Sequence, residues 1–345
     1  MLTKYVKITR DIFVTKDRIV QTEILNPTDL NIMRCASKLK AGELVAFPTE
    51  TVYALGAVAT DAQAVKKVFE VKNRPADKAL IVAVSKKSDI HKVVKSIPQK
   101  AQILIEKFMP GALTLVFDRA DIIPDEVTAG SDSVAVRIPD NAVAKKLIEL
   151  AGAPVVVPSA NTSDKASPTL AQHVKDDLDG KIEYVLDGGE SKIGIESTIV
   201  DVRTEPPTVL RAGGVTVEQL KQAIGEVKSV REDARPKGYT PNAEVLFSAY
   251  YDGMQDNICK RYDELTAKQK TVVILCLDGN RKAYGDRKVF TVGDSYEAYA
   301  HNLFAVLRRA DGEHYDAVIA EGVNPEGLGE SLIAKLIKLS GGLII

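Results

Sequence analysis

The amino-acid sequence predicts an α/β protein in which a larger N-terminal domain with a mixed sheet precedes a smaller, doubly wound C-terminal domain. Three observations predict this fold. The chain has 345 residues, which is long for a single hydrophobic core. Short β-branched apolar runs alternate with segments of helical periodicity, as in layered α/β domains. A charged segment with two prolines, residues 226–242, lacks an apolar period and is typical of a linker.

Helix caps and apolar periodicity predict the elements of the N-terminal domain. Residues 28–39 and 61–71 have helical periodicity with clear starts and stops. Thr216 and Gln219 have the spacing of a capping box, which predicts a helix that runs to Ile224. The short apolar runs predict strands at 43–47, 79–84, 112–117, 133–138 and 153–157. Between 112 and 138 and between 183 and 211 strands follow one another directly, which favours a mixed sheet.

The strand–helix alternation resumes after the linker and predicts the second domain. Its Gly327-Leu328-Gly329 is similar to the start of a dinucleotide-binding loop, but the third glycine is missing, so we expect no dinucleotide site there. The predicted boundaries are 1–225 for the first domain, 226–244 for the linker and 245–345 for the second domain. Buried strands are predicted at 271–277 and 316–320, and helices at 295–309 and 329–339.

Composition excludes several classes of protein. The net charge of -1 argues against a protein built mainly to bind nucleic acid. The three cysteines are far apart and no metal-ligand spacing occurs, so neither a disulfide framework nor a protein-only metal site is predicted. No apolar run of about eighteen residues and no signal peptide is found, so we expect a cytoplasmic protein without a membrane segment.

Two short strings stand where predicted elements end, Lys72-Asn73-Arg74 and Ser159-Ala160-Asn161. The first closely precedes the strand at 79–84, and the second follows the strand at 153–157. Arginine offers a planar fork to phosphate oxygens, lysine offers a point charge, and serine and asparagine supply neutral hydrogen bonds. Each string alone is a weak signal, since most Lys-x-Arg pairs are solvated surface charges. Together they are suited to hold a polyphosphate.

Further motifs surround these strings: FPTETVYALG at 47–56, ESTIVD at 196–201 and LRAGG at 210–214. In this order and spacing the set resembles the YrdC-type threonylcarbamoyl-adenylate synthases, in the long two-domain form of that family. The specific motifs cover residues 25–225, and the resemblance continues more weakly beyond them. It implies a YrdC-like twisted mixed sheet with helices around a cavity, followed by a Rossmann-like domain.

The resemblance implies an enzyme that condenses L-threonine, bicarbonate and ATP into threonylcarbamoyl-adenylate and pyrophosphate. Mg²⁺ would accompany the ATP. The product would pass to a separate transferase that modifies a tRNA adenosine next to the anticodon, so tRNA binding here would be weak or indirect. Such a phosphoryl displacement depends on positioning and charge neutralisation and needs no covalent nucleophile.

The resemblance also implies a role for individual residues. Lys72, Arg74, Ser159 and Asn161 would be the catalytic set on the phosphates, with Ser159 and Asn161 also near the metal. Three groups complete the implied site: Thr114, Ser167 and Arg211 on the nucleotide, Thr51, Arg137 and Ser197 on threonine, and Lys78 and Tyr239 as further nucleotide contacts. Tyr239 would close a lid formed by the linker.

Departures from the family pattern leave alternatives open. Asn73 replaces a usual glycine, and Asn tolerates positive φ better than most residues. Lys78 stands where the family has asparagine, and Ala83 where it has a substrate-side histidine. The chain could therefore be a divergent nucleotide-binding paralogue, and the basic stretch 66–107 would suit a non-catalytic RNA-binding module. Glu50 would be a base beside the substrate amine, or a turn residue that points away.

Ser167 has two interpretations on the sequence alone. Followed by Pro168, it is a good helix start, because proline is favoured at the first helical position. The resemblance instead places its hydroxyl on the nucleotide. The two interpretations differ in what the side chain bonds, a helix amide or a ligand.

Overall fold

The computed structural model describes residues 21–163, 165–230 and 241–345. The strands in these ranges form two sheets, one of eleven strands and one of four. The larger sheet lies in the N-terminal domain, and the smaller sheet follows the linker. No helix in the described ranges has the length and apolar character needed to cross a membrane.

The larger sheet is mixed, as predicted. Its strand order is β1-β8-β2-β3-β7-β4-β6-β5-β9-β10-β11. Two strand pairs with no long helix between them, β5–β6 and β9–β10, pair antiparallel, whereas β4–β6 and β5–β9 pair parallel. The strands are β1 (Glu23–Leu25), β2 (Val45–Phe47), β3 (Ala54–Val58), β4 (Ile81–Ala83), β5 (Leu113–Asp118), β6 (Ser133–Arg137), β7 (Val155–Val156), β8 (Tyr184–Leu186), β9 (Thr198–Asp201), β10 (Thr208–Arg211) and β11 (Lys228–Ser229).

Side-chain caps define where several helices of this domain begin. Thr28 accepts from the Asn31 amide at the start of the first helix, and Thr216 and Gln219 form the predicted capping box at the start of the last. The helices are α1 (Asp29–Lys40), α2 (Ala62–Lys72), α3 (Gln99–Phe108), α4 (Asp125–Thr128), α5 (Ala142–Ala151), α6 (Ala171–Leu178) and α7 (Val217–Ile224), with a 3-10 helix at Lys87–Lys92.

The helix start predicted at Ser167-Pro168 is wrong. Helix α6 begins at Ala171, and Leu170 precedes it without a side-chain cap. The Ser167 hydroxyl instead donates a hydrogen bond to the Glu196 carboxylate at 2.9 Å. The Ser167 side chain therefore bonds a carboxylate distant in sequence and caps no helix, which sequence spacing cannot reveal.

The four strands of the C-terminal sheet are all parallel, in the order β12-β15-β13-β14. Alternate strand residues pack on opposite faces: Phe247 packs with α9 and α10, and Leu246 packs with α8. Helices therefore cover both faces, as predicted for a doubly wound domain. Its elements are β12 (Glu244–Phe247), α8 (Met254–Ala267), β13 (Val272–Cys276), a 3-10 helix (Asp278–Tyr284), β14 (Val289–Thr291), α9 (Tyr296–Gly312), β15 (Ala317–Ala320) and α10 (Leu328–Leu339).

The segment predicted as a linker contains one short strand. Strand β11 pairs parallel with β10, so residues 228–229 extend the N-terminal sheet. Residues 231–240, and with them the predicted lid residue Tyr239, lie outside the described residues.

The two domains share apolar and ionic contacts. Val52, Ala166 and Ile195 of the N-terminal domain are buried in the same apolar cluster as the inner faces of α9 and α10. The Arg308 guanidinium of α9 pairs with the Asp177 carboxylate of α6 at 2.6 Å, and both side chains are mostly buried. The C-terminal domain is thus packed directly against the loops that precede β3 and β9.

Candidate active site

Buried polar side chains gather where the strands of the N-terminal sheet meet their loops. Most of them belong to the residues that the sequence motifs single out. Register places Thr114 of β5 beside Arg137 of β6. The buried polar and charged side chains of this region include Thr49, Glu50, Thr51, Lys72, Thr114, Arg137, Asn161, Ser167, Thr169, Ser191 and Ser197.

The Lys72 and Ser159-Ala160-Asn161 strings meet through the lysine side chain. Lys72 is the last residue of α2, and its Nζ donates to the carbonyl oxygens of Ser159 and Asn161, both at 2.5 Å. The Ser163 amide returns a bond to the Lys72 carbonyl at 2.8 Å. The ammonium therefore holds the backbone of the second string, a role that the sequence analysis did not assign to it.

Lys72 is 2% exposed, and its surroundings change the pKa of its ammonium group. Burial first, and then repulsion from Arg74, lowers the pKa of Lys72 to about 7. The two carbonyl acceptors favour the charged form. A polyphosphate beside Lys72 would favour it further.

Arg74 lies in the loop after α2, as predicted. Asn73 ends the helix with a φ of +50°, the left-handed conformation expected at a position where glycine is usual. The Arg74 Nη2 donates to the Ala79 carbonyl at 3.2 Å, and its Nε has no hydrogen-bond partner among the described residues. Burial, and repulsion from Arg211, act to lower the pKa of Arg74. Lys78 in the same loop is partly exposed.

Arg137 and Glu50 form a buried pair. Arg137 Nη2 lies 2.8 Å from Glu50 Oε1, and the two side chains are 7% and 5% exposed. The approach is not aligned as a hydrogen bond, and within the described ranges neither Arg137 Nη2 nor the two Glu50 carboxylate oxygens have a hydrogen-bond partner. Arg137 Nε donates to the Gly111 carbonyl at 3.3 Å. The Glu50 side chain thus faces Arg137.

Three residues from neighbouring strands form a hydroxyl–guanidinium cluster. The Oγ atoms of Thr114 and Ser197 are 2.8 Å apart, and Arg211 donates to the Ser197 carbonyl at 2.7 Å and to its Oγ at 3.1 Å. Thr51, fully buried, contacts Thr49 Oγ1 at 2.9 Å. These contacts bring Ser197 of the threonine set together with Thr114 and Arg211 of the nucleotide set.

Ser167 belongs to a contact that sequence reasoning missed. Its partner Glu196 is also bonded by Lys335 of α10 through the second carboxylate oxygen. Glu196 stands in the ESTIVD motif, which was a signal, but nothing local marks Lys335, which lies 139 residues away. A cation from the C-terminal domain thus reaches the site.

Asn161 has a single unused acceptor. Its Nδ2 donates to the carbonyls of Thr162 and Lys165, both at 2.7 Å, which fixes the orientation of the amide. Its Oδ1 is buried without a hydrogen-bond partner in the described part of the chain. An oxygen that can only accept suits a hard cation or a hydroxyl group, not a phosphate oxygen. Among the described residues no group of three His, Cys, Asp or Glu could hold a metal ion.

Two family models match the chain in succession. Residues 37–213 match the Sua5/YciO/YrdC family, described as telomere recombination, and residues 215–341 match the C-terminal domain of threonylcarbamoyl-AMP synthase. The threonylcarbamoyl-AMP synthase of Pyrococcus abyssi is 42% identical over 90% of this chain and 94% of its own length. That of Bacillus subtilis is 37% identical over 94% of this chain and 97% of its own length.

Solved structures agree with these matches. The structure of P. abyssi Sua5 complexed with L-threonine has a TM-score of 0.88, with 38% identity over 95% of this chain and 99% of that chain. The likeness extends over both sheets and the helices around them. The chain therefore belongs to the threonylcarbamoyl-AMP synthase family of enzymes.

Proposed function

We propose that the protein condenses L-threonine, bicarbonate and ATP into threonylcarbamoyl-adenylate and pyrophosphate, for the modification of a tRNA adenosine. The observation that carries this proposal is the buried Arg137–Glu50 pair, whose facing atoms make no aligned hydrogen bond. Buried polar groups are normally satisfied, so groups that are not mark a place where a ligand is expected. A guanidinium beside a carboxylate matches the two charges of an amino acid.

The amino-acid half of the site would be built around Arg137. Its Nη2 would bind the threonine carboxylate, the charge-assisted bond that guanidinium favours. Glu50 would then face the substrate amine, where it can take the proton that the amine must lose before it captures carbon dioxide. Thr51 and Ser197 supply buried hydroxyl groups nearby.

The nucleotide half would be built around the cations at the end of α2, in the loop after it and in β10. Arg74 and Arg211 are close enough to repel each other, and a triphosphate between them would relieve that repulsion. Lys72 and Ser159 would add donors, and Lys78 would approach from the loop. Tyr239 is proposed to close the site from the linker.

Mg²⁺ fits the donor set only as a companion of the nucleotide. Asn161 Oδ1 is an unpaired buried oxygen of the kind that Mg²⁺ binds, and the remaining ligands would be phosphate oxygens and water. When bound, the ion would neutralise charge on the phosphates. The protein residues would do the rest by holding the two substrates in line.

The proposed reaction has two bond-forming steps. Bicarbonate would take up the proton that the threonine ammonium gives up through Glu50, lose water and become carbon dioxide. The neutral threonine nitrogen would then add to the carbon dioxide and give a carbamate, with the proton lost from nitrogen passing to Glu50. A carbamate oxygen then forms a bond to the α-phosphorus, and the bond from that phosphorus to the bridging oxygen breaks and releases pyrophosphate. Arg74 and Lys72 would stabilise the negative charge that develops on the pyrophosphate leaving group.

The alternative of an RNA-binding module is weakened by ion pairs. The stretch 66–107 has eleven lysines and arginines against four acids. Six of its lysines nevertheless pair with carboxylates, which reduces the field available to a polyanion. The pairs are Lys66–Glu126, Lys67–Glu43, Lys87–Glu106, Lys92–Asp89, Lys95–Asp121 and Lys100–Glu205.

Pyrophosphate release from ATP tests the proposal. We expect release that requires threonine and bicarbonate together, and serine should be poorer by about 1–3 kcal/mol because one methyl contact is lost. Release that is indifferent to threonine would support the divergent paralogue instead, in which Ala83 provides no polar group. No ATP turnover at all would contradict an enzymatic role.

A further inference from the structure

The Glu196 carboxylate joins the two domains at the substrate site. Its Oε1 accepts from Ser167 Oγ at 2.9 Å, and its Oε2 is bonded by Lys335 Nζ. The side chains of Glu196 and Lys335 are 21% and 13% exposed. The two oxygens of one carboxylate are thus divided between a residue of the nucleotide set and a cation of the C-terminal domain.

Helix α10 is fixed at this place by a second contact. Ser331 and Lys335 are four residues apart and lie on one face of the helix. Ser331 Oγ donates to the Gly213 carbonyl at 2.9 Å. Gly213 packs closely against the loop before β9, since a Cβ at Gly213 would come within 2.3 Å of the Glu196 carbonyl oxygen. Lys335 is therefore held in register with the carboxylate.

The charge of Glu196 fixes the direction of the Ser167 hydrogen bond. Burial raises the pKa of Glu196, but the Lys335 ammonium and the Arg211 guanidinium outweigh it and lower the pKa to about 2. An ionised carboxylate only accepts hydrogen bonds, so the Ser167 hydroxyl must donate its proton to it. The Ser167 oxygen then has only lone pairs left for a ligand.

We propose that Glu196 and Lys335 are positioning residues that hold the Ser167 hydroxyl as a hydrogen-bond acceptor toward the nucleoside part of the nucleotide. This inference rests on the proposed function, which places the nucleotide beside Ser167. An acceptor repels phosphate oxygens but pairs with an amino or hydroxyl group of a nucleoside. The C-terminal domain acts on nucleotide binding in this way without contacting the nucleotide.

The Glu196→Gln variant reverses the hydroxyl. A glutamine side chain has one acceptor and one donor end, and Lys335 has only donors, so the amide oxygen must face Lys335. The amide nitrogen then faces Ser167, and the serine proton turns toward the nucleotide. We expect nucleotide affinity to fall about tenfold, since a donor now meets a donor.

The double variant Glu196→Gln/Lys335→Met separates positioning from packing. Without the ammonium, the amide is free to turn its oxygen to Ser167, so affinity should recover to within about threefold of wild type. A merely structural ion pair would give losses that add. His301→Ala is the matched control, because it breaks an interdomain contact to the Lys192 carbonyl at 3.1 Å and leaves Ser167 untouched.

Calorimetric titration of the full chain with a non-hydrolysable ATP analogue measures these affinities. An unchanged affinity in Glu196→Gln, or a double variant no better than the single one, overturns the inference. If Glu196→Gln does not fold, Ser167→Ala takes its place, and an unchanged affinity there overturns it equally. Threonine-dependent pyrophosphate release is measured separately, so its absence in a wild-type chain that binds nucleotide contradicts only the proposed reaction. A wild-type chain that binds no nucleotide overturns both.

Discussion

Two buried glutamates, one in each domain, differ in how their carboxylates are satisfied. Glu321 follows β15, is 1% exposed and accepts hydrogen bonds from four donors at 2.9–3.3 Å. Glu50 precedes β3 and is 4% exposed, yet neither of its oxygens accepts an aligned hydrogen bond from a described residue. The donors to Glu321 are the side chains of Gln255, Asn280 and Tyr284 and the amide of Leu277.

The difference separates a carboxylate that is hydrogen-bonded within the fold from one whose oxygens lack aligned donors in the described ranges. The Glu321 network is complete within the C-terminal domain, so it stabilises the fold and leaves nothing for a ligand. The facing atoms of the Glu50–Arg137 pair have no aligned hydrogen bond with a described residue, and in the proposed function they gain partners from the substrate. Removing each group should therefore have opposite effects on stability and on activity.

The largest expected effect is a loss of stability in Glu321→Ala. Four donors would lose their acceptor, and each buried group left unsatisfied costs about 1–3 kcal/mol, so the free energy of unfolding should fall by about 3 kcal/mol or more. Urea denaturation measures it. Glu326→Ala is the matched control, since Glu326 is exposed in the same loop region. Equal stability of the two variants would show that the network is not structural.

Arg137→Lys should affect substrate binding more than stability. The lysine keeps the positive charge beside Glu50 but loses the planar fork. Threonine binding should therefore weaken by about 2 kcal/mol, which raises the KM for threonine some thirtyfold. Thermal melting should change little. Arg119→Lys is the control, because Arg119 contacts Asp125, Ile123 and Thr128 away from the site. A stability loss with unchanged KM would place Arg137 in the structural class.

Lys72 lies between the two classes, because its ammonium is bonded to backbone carbonyls within the site. With the pKa lowered to about 7 from 10.5, the folded chain loses this proton in a window where the unfolded chain keeps it, so stability rises with pH there. A triphosphate favours the ammonium. Binding of an ATP analogue near pH 8.5 should therefore take up a proton. As the pH rises, the affinity for the analogue should fall by up to about tenfold per pH unit.

Calorimetry in two buffers with different ionisation enthalpies measures the proton uptake of Lys72. Equal binding enthalpies in the two buffers would show that binding takes up no proton, and would contradict the prediction. Measurements above neutral pH avoid the titration of the triphosphate itself.

Local signals predicted much of the fold. The capping box at Thr216, the left-handed Asn73 and the alternating apolar runs each depend on neighbours in sequence, and each is found in the structure. The mixed sheet followed from strands without an intervening long helix. The residue types at the site followed from the motifs.

The rest depends on contacts between residues far apart in the chain. The side chain of Lys72 bonds carbonyls 87 and 89 residues away, and Lys335 reaches Glu196 across 139 residues. No periodicity encodes such partners, because they are set by how two packed layers meet. Ser167 is an example: its spacing favoured a local helix cap, but its hydroxyl donates a hydrogen bond to a carboxylate 29 residues away.

The apolar patch of Val52, Ala166 and Ile195 also bears on the order in which the chain becomes a finished enzyme. Helices α9 and α10 cover this patch, yet they begin roughly a hundred residues or more after it. During synthesis N-terminal domains generally fold first, so the N-terminal sheet forms while the patch is still exposed to water. The loop that carries Glu196 is backed on that side only when the last helices arrive. A nascent chain therefore passes through an interval in which its N-terminal domain is synthesised but still exposes an apolar surface.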